Sequence, residues 1–128
     1  MRGLGRVSAN RLPGDEGAFN SLYLAYRTRA RIKGHVFEIS KDEFKRLAKQ
    51  LCHFCGTPPA TIRRGRAKAP PFIYNGLDRL DSKLGYTLAN VVTCCGACNF
   101  MKRTDTVSSF LARVAAIHKR RKKIAKLT

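Results

Sequence analysis

Tryptophan is absent from this chain, methionine occurs twice, and acidic residues are scarce, with 8 Asp and Glu against 26 Lys and Arg. No apolar run approaches the roughly 18 to 20 residues of a membrane span, which argues against a spanning helix. The basic residues are spread along the chain rather than gathered behind a Trp- and Phe-bearing face, so an amphipathic anchor on an anionic membrane is disfavoured too. Met1 to Leu12 is basic and lacks the apolar centre of a signal peptide, so the protein is read as intracellular.

The shortage of acid leaves a formal net charge of +18. Such an excess repels itself in a compact fold unless a polyanion neutralises it. Nucleic acid is the expected partner, because each neutralised phosphate releases counterions and strengthens binding at low salt. Hydrophobic residues make up 44% of the 128 positions, which suits one globular domain with a modest core. Cores of that size often need a metal or disulfide staple. Five cysteines in an intracellular chain point to metal, and the odd number suits four ligands and one bystander.

Residues 1–14 read as a flexible basic lead-in, 15–118 as a single domain, and 119–128 as a basic tail. Asp15 caps an expected helix running to about Lys33, with Gly34 at its stop. Phe19, Leu22, Tyr23, Tyr26 and Ala30 recur at helical spacing and form its buried face. After an extended connector from His35 to Ile39, Ser40-Lys41-Asp42-Glu43 has capping-box spacing. It starts a second helix through about Gln50, with Phe44, Leu47, Ala48 and Leu51 on the apolar side. Pro58-Pro59 and Pro70-Pro71 bracket a loop carrying Arg63, Arg64, Arg66 and Lys68. A strand is expected from Phe72 through Leu80, a turn or loop from Ser82 to Asn90, and a second strand over Val91 to Thr93. A short helix follows from about Cys98 to Arg103. The last helix starts near Val107, capped by Asp105 or Thr106, with an apolar stripe of Phe110, Leu111, Val114 and Ile117. It frays into the basic tail.

Cys52-x-x-Cys55 and Cys95-x-x-Cys98 are two chelating pairs. Two thiolates three positions apart grip one tetrahedral ion, and two such knuckles complete a four-sulfur zinc site. Only Cys95, not Cys94, restores the spacing to Cys98, so Cys94 reads as a small core residue. A closed four-cysteine site leaves no open position, so this zinc is structural and contributes to folding. His53 lies inside the first knuckle and reads as a surface or phosphate-facing residue.

Between Phe44 and Thr104 the only carboxylates are Asp78 and Asp81, among many cations that favour their ionised forms. Taken alone, they could simply pair with local arginines. Tyr74-Asn75-Gly76-Leu77-Asp78-Arg79-Leu80-Asp81, Gly85-Tyr86, Asn90-Val91-Val92 and Cys95-x-x-Cys98-Asn99-x-x-Lys102 together resemble the HNH, or ββα-metal, endonuclease family. The match covers about residues 52–103. The resemblance implies an α+β fold: a small zinc-stapled ββα-metal core with flanking N- and C-terminal helices. It implies an endonuclease that hydrolyses DNA phosphodiester bonds with one divalent metal, usually magnesium, of phage or bacterial type. The setting would be the cytoplasm or nucleoid of a bacterial host. DNA rather than RNA rests on the resemblance alone.

Carried over residue by residue, Asp78 and Asn99 would be the magnesium ligands and Asn90 would hold the loop geometry. Both ligands offer the hard oxygens that magnesium prefers. Position 79 departs from the family, whose general-base His is here Arg79. Arginine stays protonated and cannot take a proton from water, although it can clamp a phosphate through paired hydrogen bonds. Three outcomes stay open. His53, Tyr74 or Asp81 acts as base, or the metal suffices without one, or catalysis is lost and a zinc-containing nucleic-acid binder of ribosomal type remains. The expected phosphate-binding cations are Arg63, Arg64, Arg66, Lys68, Lys102, Arg103, Lys119, Arg120, Arg121, Lys122 and Lys123. A zinc-stapled protein-interaction module is disfavoured by the charge.

Overall fold

Helix α1 spans Glu16–Ile32 and stops where Gly34, at φ +76, takes a backbone conformation that a side chain would strain. The His35 amide then bonds Ala30 O at 2.8 Å and the Gly34 amide bonds Arg31 O at 3.1 Å, the paired closure of a Schellman turn. At the other end Asp15 occupies the capping position without a side-chain bond. A computed structural model describes residues 12–127 of the chain. Residues 1–11 of the expected lead-in fall outside it.

Helix α2, Lys41–Ala48, begins in the expected capping box: Ser40 Oγ accepts from the Glu43 amide at 3.1 Å, and Glu43 Oε1 from the Ser40 amide at 2.8 Å. Phe19, Leu22, Tyr23 and Tyr26 of α1 pack with Phe44 and Ala48 of α2 in the core. Leu51, expected on this apolar side, is exposed. Ring edges meet ring faces, as aromatic quadrupoles prefer, with Tyr26–Phe44 centroids at 4.9 Å and Phe19–Phe72 at 5.1 Å.

Two antiparallel hairpins cover this pair of helices. Strands β1 (Thr61–Arg63) and β2 (Phe72–Tyr74) pair with Ile62 opposite Ile73. Strands β3 (Gly76–Arg79) and β4 (Val91–Cys94) pair with Asp78 opposite Val92. The expected loop at 57–71 therefore contains a strand, and the expected strand over 72–80 divides at Asn75. The cause of the division is a set of bonds to the helix layer. The Asn75 amide bonds Ala48 O at 2.9 Å, and Nδ2 donates to Gln50 O at 3.0 Å and Thr57 O at 3.1 Å. Just beyond, the Tyr26 hydroxyl accepts the Leu77 amide at 3.2 Å and lies 2.5 Å from where a Gly76 Cβ would stand. Burial pushes that phenol up to about 12.

A 3-10 turn, Leu88–Asn90, leads into β4, and helix α3 follows at Gly96–Lys102, starting two residues before its expected position. Helix α4, Val107–Lys119, is capped by Thr106, whose hydroxyl accepts from the Ser109 amide at 3.0 Å. Of its expected stripe only Phe110 is buried, against Phe54 at 5.4 Å; Leu111, Val114 and Ile117 face solvent. The tail does not fray at Lys119, since helix α5 continues over Arg121–Ala125. The molecule is α+β, and among the described residues no helix is long and apolar enough to cross a membrane.

Candidate metal centre and nucleic-acid interface

The two knuckles meet because β4 carries one and holds the other. The His53 amide bonds Thr93 O at 2.7 Å, and the Thr93 hydroxyl bonds Leu47 O at 2.7 Å, which ties the first knuckle to β4 and to α2. The sulfurs of Cys52, Cys55, Cys95 and Cys98 consequently lie within 4.8 Å of one another. Cys55 and Cys95 sulfurs are 3.7 Å apart. Zinc–sulfur bonds of ~2.3 Å in a tetrahedron give sulfur–sulfur edges of ~3.8 Å, so the cluster matches a zinc site.

The thiol electrostatics agree. Burial raises Cys52, but hydrogen bonds from the backbone of Cys55, Cys95 and Phe54 outweigh it and bring the thiol down to about 6. Burial and the neighbouring Cys95 and Cys55 thiols push Cys98 up, and burial above all pushes Cys95 up. Four thiolates this close need a bound cation to share their charge. Cys94 stands apart, donating to Cys95 O at 3.4 Å, and burial followed by the Asp78 charge pushes it up to about 12. It is the core residue expected.

The loop between β3 and β4 is built on Asn90. Its Nδ2 donates to Asp81 O at 3.0 Å and Gly85 O at 2.9 Å, and its Oδ1 accepts from the Asp81 amide at 2.9 Å. Gly85 meets the connector between the helices so closely that a Cβ would stand 2.6 Å from Val36 O. The Tyr86 amide bonds that same oxygen at 2.8 Å, and Tyr86 O accepts the Glu38 amide at 2.7 Å. The Gly85-Tyr86 pair thereby docks the connector beside the end of β3.

Asp78 is buried and faces α3, where the Lys102 ammonium lies 3.0 Å from its Oδ2. Lys102 also donates to Arg79 O at 3.2 Å and has no exposed surface, so it is not the phosphate-facing cation expected from the sequence. A helix docked on a strand needs a long apolar stem at that point, and burial of the ammonium follows from its pairing with Asp78. The Oδ2 atom makes no hydrogen bond of good geometry despite its burial. Asn99, one turn earlier on α3, is exposed.

Arg79 is not free in solvent. Its Nη1 donates to Ser82 O at 2.6 Å and Leu84 O at 3.0 Å, approaches His35 Nε2 at 3.0 Å, and its guanidinium lies over the Tyr86 ring at 5.5 Å. The bases considered from sequence sit elsewhere: His53 is exposed against Phe54, Tyr74 stacks on Phe72, and Asp81 Oδ1 accepts the Lys83 amide at 2.9 Å. In sequence His35 is part of an extended connector, and the pairing of Phe37 with Tyr86 helps bring it here.

The remaining cations divide between two places. Arg64, Arg66 and Lys68 project from the β1–β2 loop, while Arg63 is tied to the Ser21 hydroxyl at 2.9 Å. Lys119, Arg120, Arg121, Lys122 and Lys123 are exposed along α4 and α5, and Arg103 is exposed at the end of α3 with φ 54.

β3, β4 and α3 form a ββα unit stapled by four cysteines, a fold seen in an HNH endonuclease of known structure. Among solved structures, the rare-cutting HNH restriction endonuclease PacI shares the fold, with a TM-score of 0.54 and 23% identity over 79% of this chain and 77% of that one. An uncharacterised protein of Acanthamoeba polyphaga mimivirus is 33% identical over 95 residues, 74% of this chain. The chain spans only 16% of that relative's length. No protein-family model matches the sequence.

Proposed function

We propose that this protein is an HNH-type endonuclease that hydrolyses DNA phosphodiester bonds with one divalent metal, its four-cysteine zinc serving structure. The reading is carried by the buried Asp78 carboxylate, set on β3 of a ββα fold shared with a DNA-cutting HNH restriction enzyme. A buried carboxylate is costly unless a cation answers it, and here the Lys102 ammonium 3.0 Å from Oδ2 does so without a hydrogen bond of good geometry. The donor set suits magnesium: Asp78 and Asn99 offer a carboxylate and an amide oxygen from β3 and α3, and these residues would hold it. When bound, the ion supplies Lewis-acid polarisation of the scissile phosphate. Asn90 keeps the 81–90 loop in shape, and Lys102 pins α3 onto β3. Arg79, with N–H groups beyond Nη1, can hold a phosphate oxygen while its Nη1 stays on the loop carbonyls.

Incubating supercoiled plasmid with the protein and magnesium tests this. EDTA-sensitive nicking is the expected result, and DNA binding without nicking is the opposing one. Asp78→Ala would strand Lys102 as a buried charge, so Asp78→Asn with Lys102→Met is the cleaner loss-of-function variant. It should bind DNA and not nick. A second reading, a binder that has lost catalysis, is favoured by the ammonium already on Asp78. It predicts tight binding and no nicking at any magnesium concentration.

A further inference from the structure

We infer that His35 is the proton acceptor that position 79 lacks. The inference rests on the nuclease reading above. The resemblance places an imidazole at position 79, at the end of β3, where this chain has Arg79. The fold brings an imidazole to the Arg79 guanidinium from 44 residues away in sequence, with His35 Nε2 3.0 Å from Arg79 Nη1. Two devices hold it there. The Schellman turn after α1 fixes the chain at Gly34 and His35, and Gly85-Tyr86 clasps the connector just beyond, at Val36 and Glu38.

A guanidinium has donors and no acceptor, so in this contact Nε2 can serve only as the acceptor. Nη1 carries two hydrogens and faces three acceptors: Ser82 O at 2.6 Å, Leu84 O at 3.0 Å and His35 Nε2. The two carbonyls can take both hydrogens. The Nε2 lone pair is therefore the one that can be released to a water at no loss to Arg79. His35 also lies on the wall of an open groove of about 510 Å³, whose lining includes Arg27 and Arg31. Arg27 and Arg31 make the groove beside His35 positively charged, and it is open to solvent.

In the step, the water oxygen forms a bond to phosphorus while its proton passes to His35 Nε2, leaving an imidazolium. The bond from phosphorus to the leaving sugar oxygen breaks, and that oxygen takes a proton from solvent. Arg79 holds the phosphate charge that builds meanwhile. His35 thus supplies general-base catalysis, and Arg79 positions both partners.

Single-turnover nicking of supercoiled plasmid by the full chain with magnesium tests the assignment. His35→Gln and His35→Ala should slow nicking by on the order of 10²-fold or more at unchanged DNA affinity and unchanged melting temperature. Free imidazole should restore part of the rate of His35→Ala, which a packing role would not allow. Equal nicking by His35→Gln overturns the assignment, as does a His35→Ala defect that imidazole leaves untouched. A wild type that binds DNA and does not nick overturns the nuclease reading itself, and with it this inference.

Discussion

At the scale of single residues, Lys102 and Asp78 show how far a side chain's role depends on what folds around it. In sequence Lys102 belongs to the Asn99-x-x-Lys102 pattern, yet nothing there says that it is buried while Arg103 beside it is not. Only when α3 docks on β3 does one become a fully buried partner of Asp78 and the other a solvent-exposed helix end. Lys102→Met should therefore cost about 3–5 kcal/mol, because it leaves a carboxylate buried without its cation. Adding Asp78→Asn should recover much of that loss, a coupling that thermal denaturation of the four members of the cycle would measure. Magnesium sharpens the test. If Asp78 takes the ion, magnesium should raise the melting temperature of Lys102→Met more than that of the wild type. Equal shifts in both would remove Asp78 from the metal site. Asn90, by contrast, was indicated by the resemblance, and its three bonds all close within the loop from Asp81.

Among the elements, the knuckles and α2 were readable for the same reason: spacing of three encodes both a chelating pair and a capping box. The parts that sequence concealed are those settled across the chain. Strand β1 is exposed on most of its surface and exists because β2 lies opposite it. The strand break at Asn75 is dictated by Ala48, Gln50 and Thr57, three oxygens that no local pattern announces. The apolar spacing of α4 suggested burial, yet it borders the core only at Phe110, so periodicity identified the helix and misjudged its surroundings. The metal cluster bears on this level because it joins α2, β4 and α3 at once. Cys52→Ser or Cys98→Ser should leave the chain insoluble or molten, and a strong chelator should lower the melting temperature of the wild type sharply. Cys94→Ser should fold and keep about one zinc per chain by metal analysis, because its thiol points to Cys95 O and lies outside the cluster. A wild type that melts at the same temperature with its metal stripped would remove the staple from the account of stability.

Across the whole molecule, charge governs the encounter with a polyanion, and the fold decides how much of it can act at once. A loose tail could lay Lys119, Arg120, Arg121, Lys122, Lys123 and Lys126 along a phosphate backbone together. The helices α4 and α5 forbid this, since residues on one circumference point in different directions and only those three or four apart share a face. On α5, Lys122, Lys123 and the capping residue Lys126 have that spacing, whereas Lys119 lies on α4 across the break at Arg120. Each phosphate contact contributes roughly 0.9 to the slope of log affinity against log salt on duplex DNA. Deleting residues 119–128 should therefore lower the slope by about 3, where six simultaneous contacts would lower it by about 5. Replacing Arg64, Arg66 and Lys68 by alanine should lower it by a further amount of at most about 3. Arg63→Ala should matter less, since its guanidinium already bonds the Ser21 hydroxyl. Fluorescence anisotropy over a salt series, on several duplex sequences, would measure all three. The losses should be alike for every sequence, because phosphate contacts position the duplex without reading it. A slope unchanged by the deletion would place the nucleic acid on the β1–β2 loop side alone, and a loss that depended on sequence would mean that α5 touches bases.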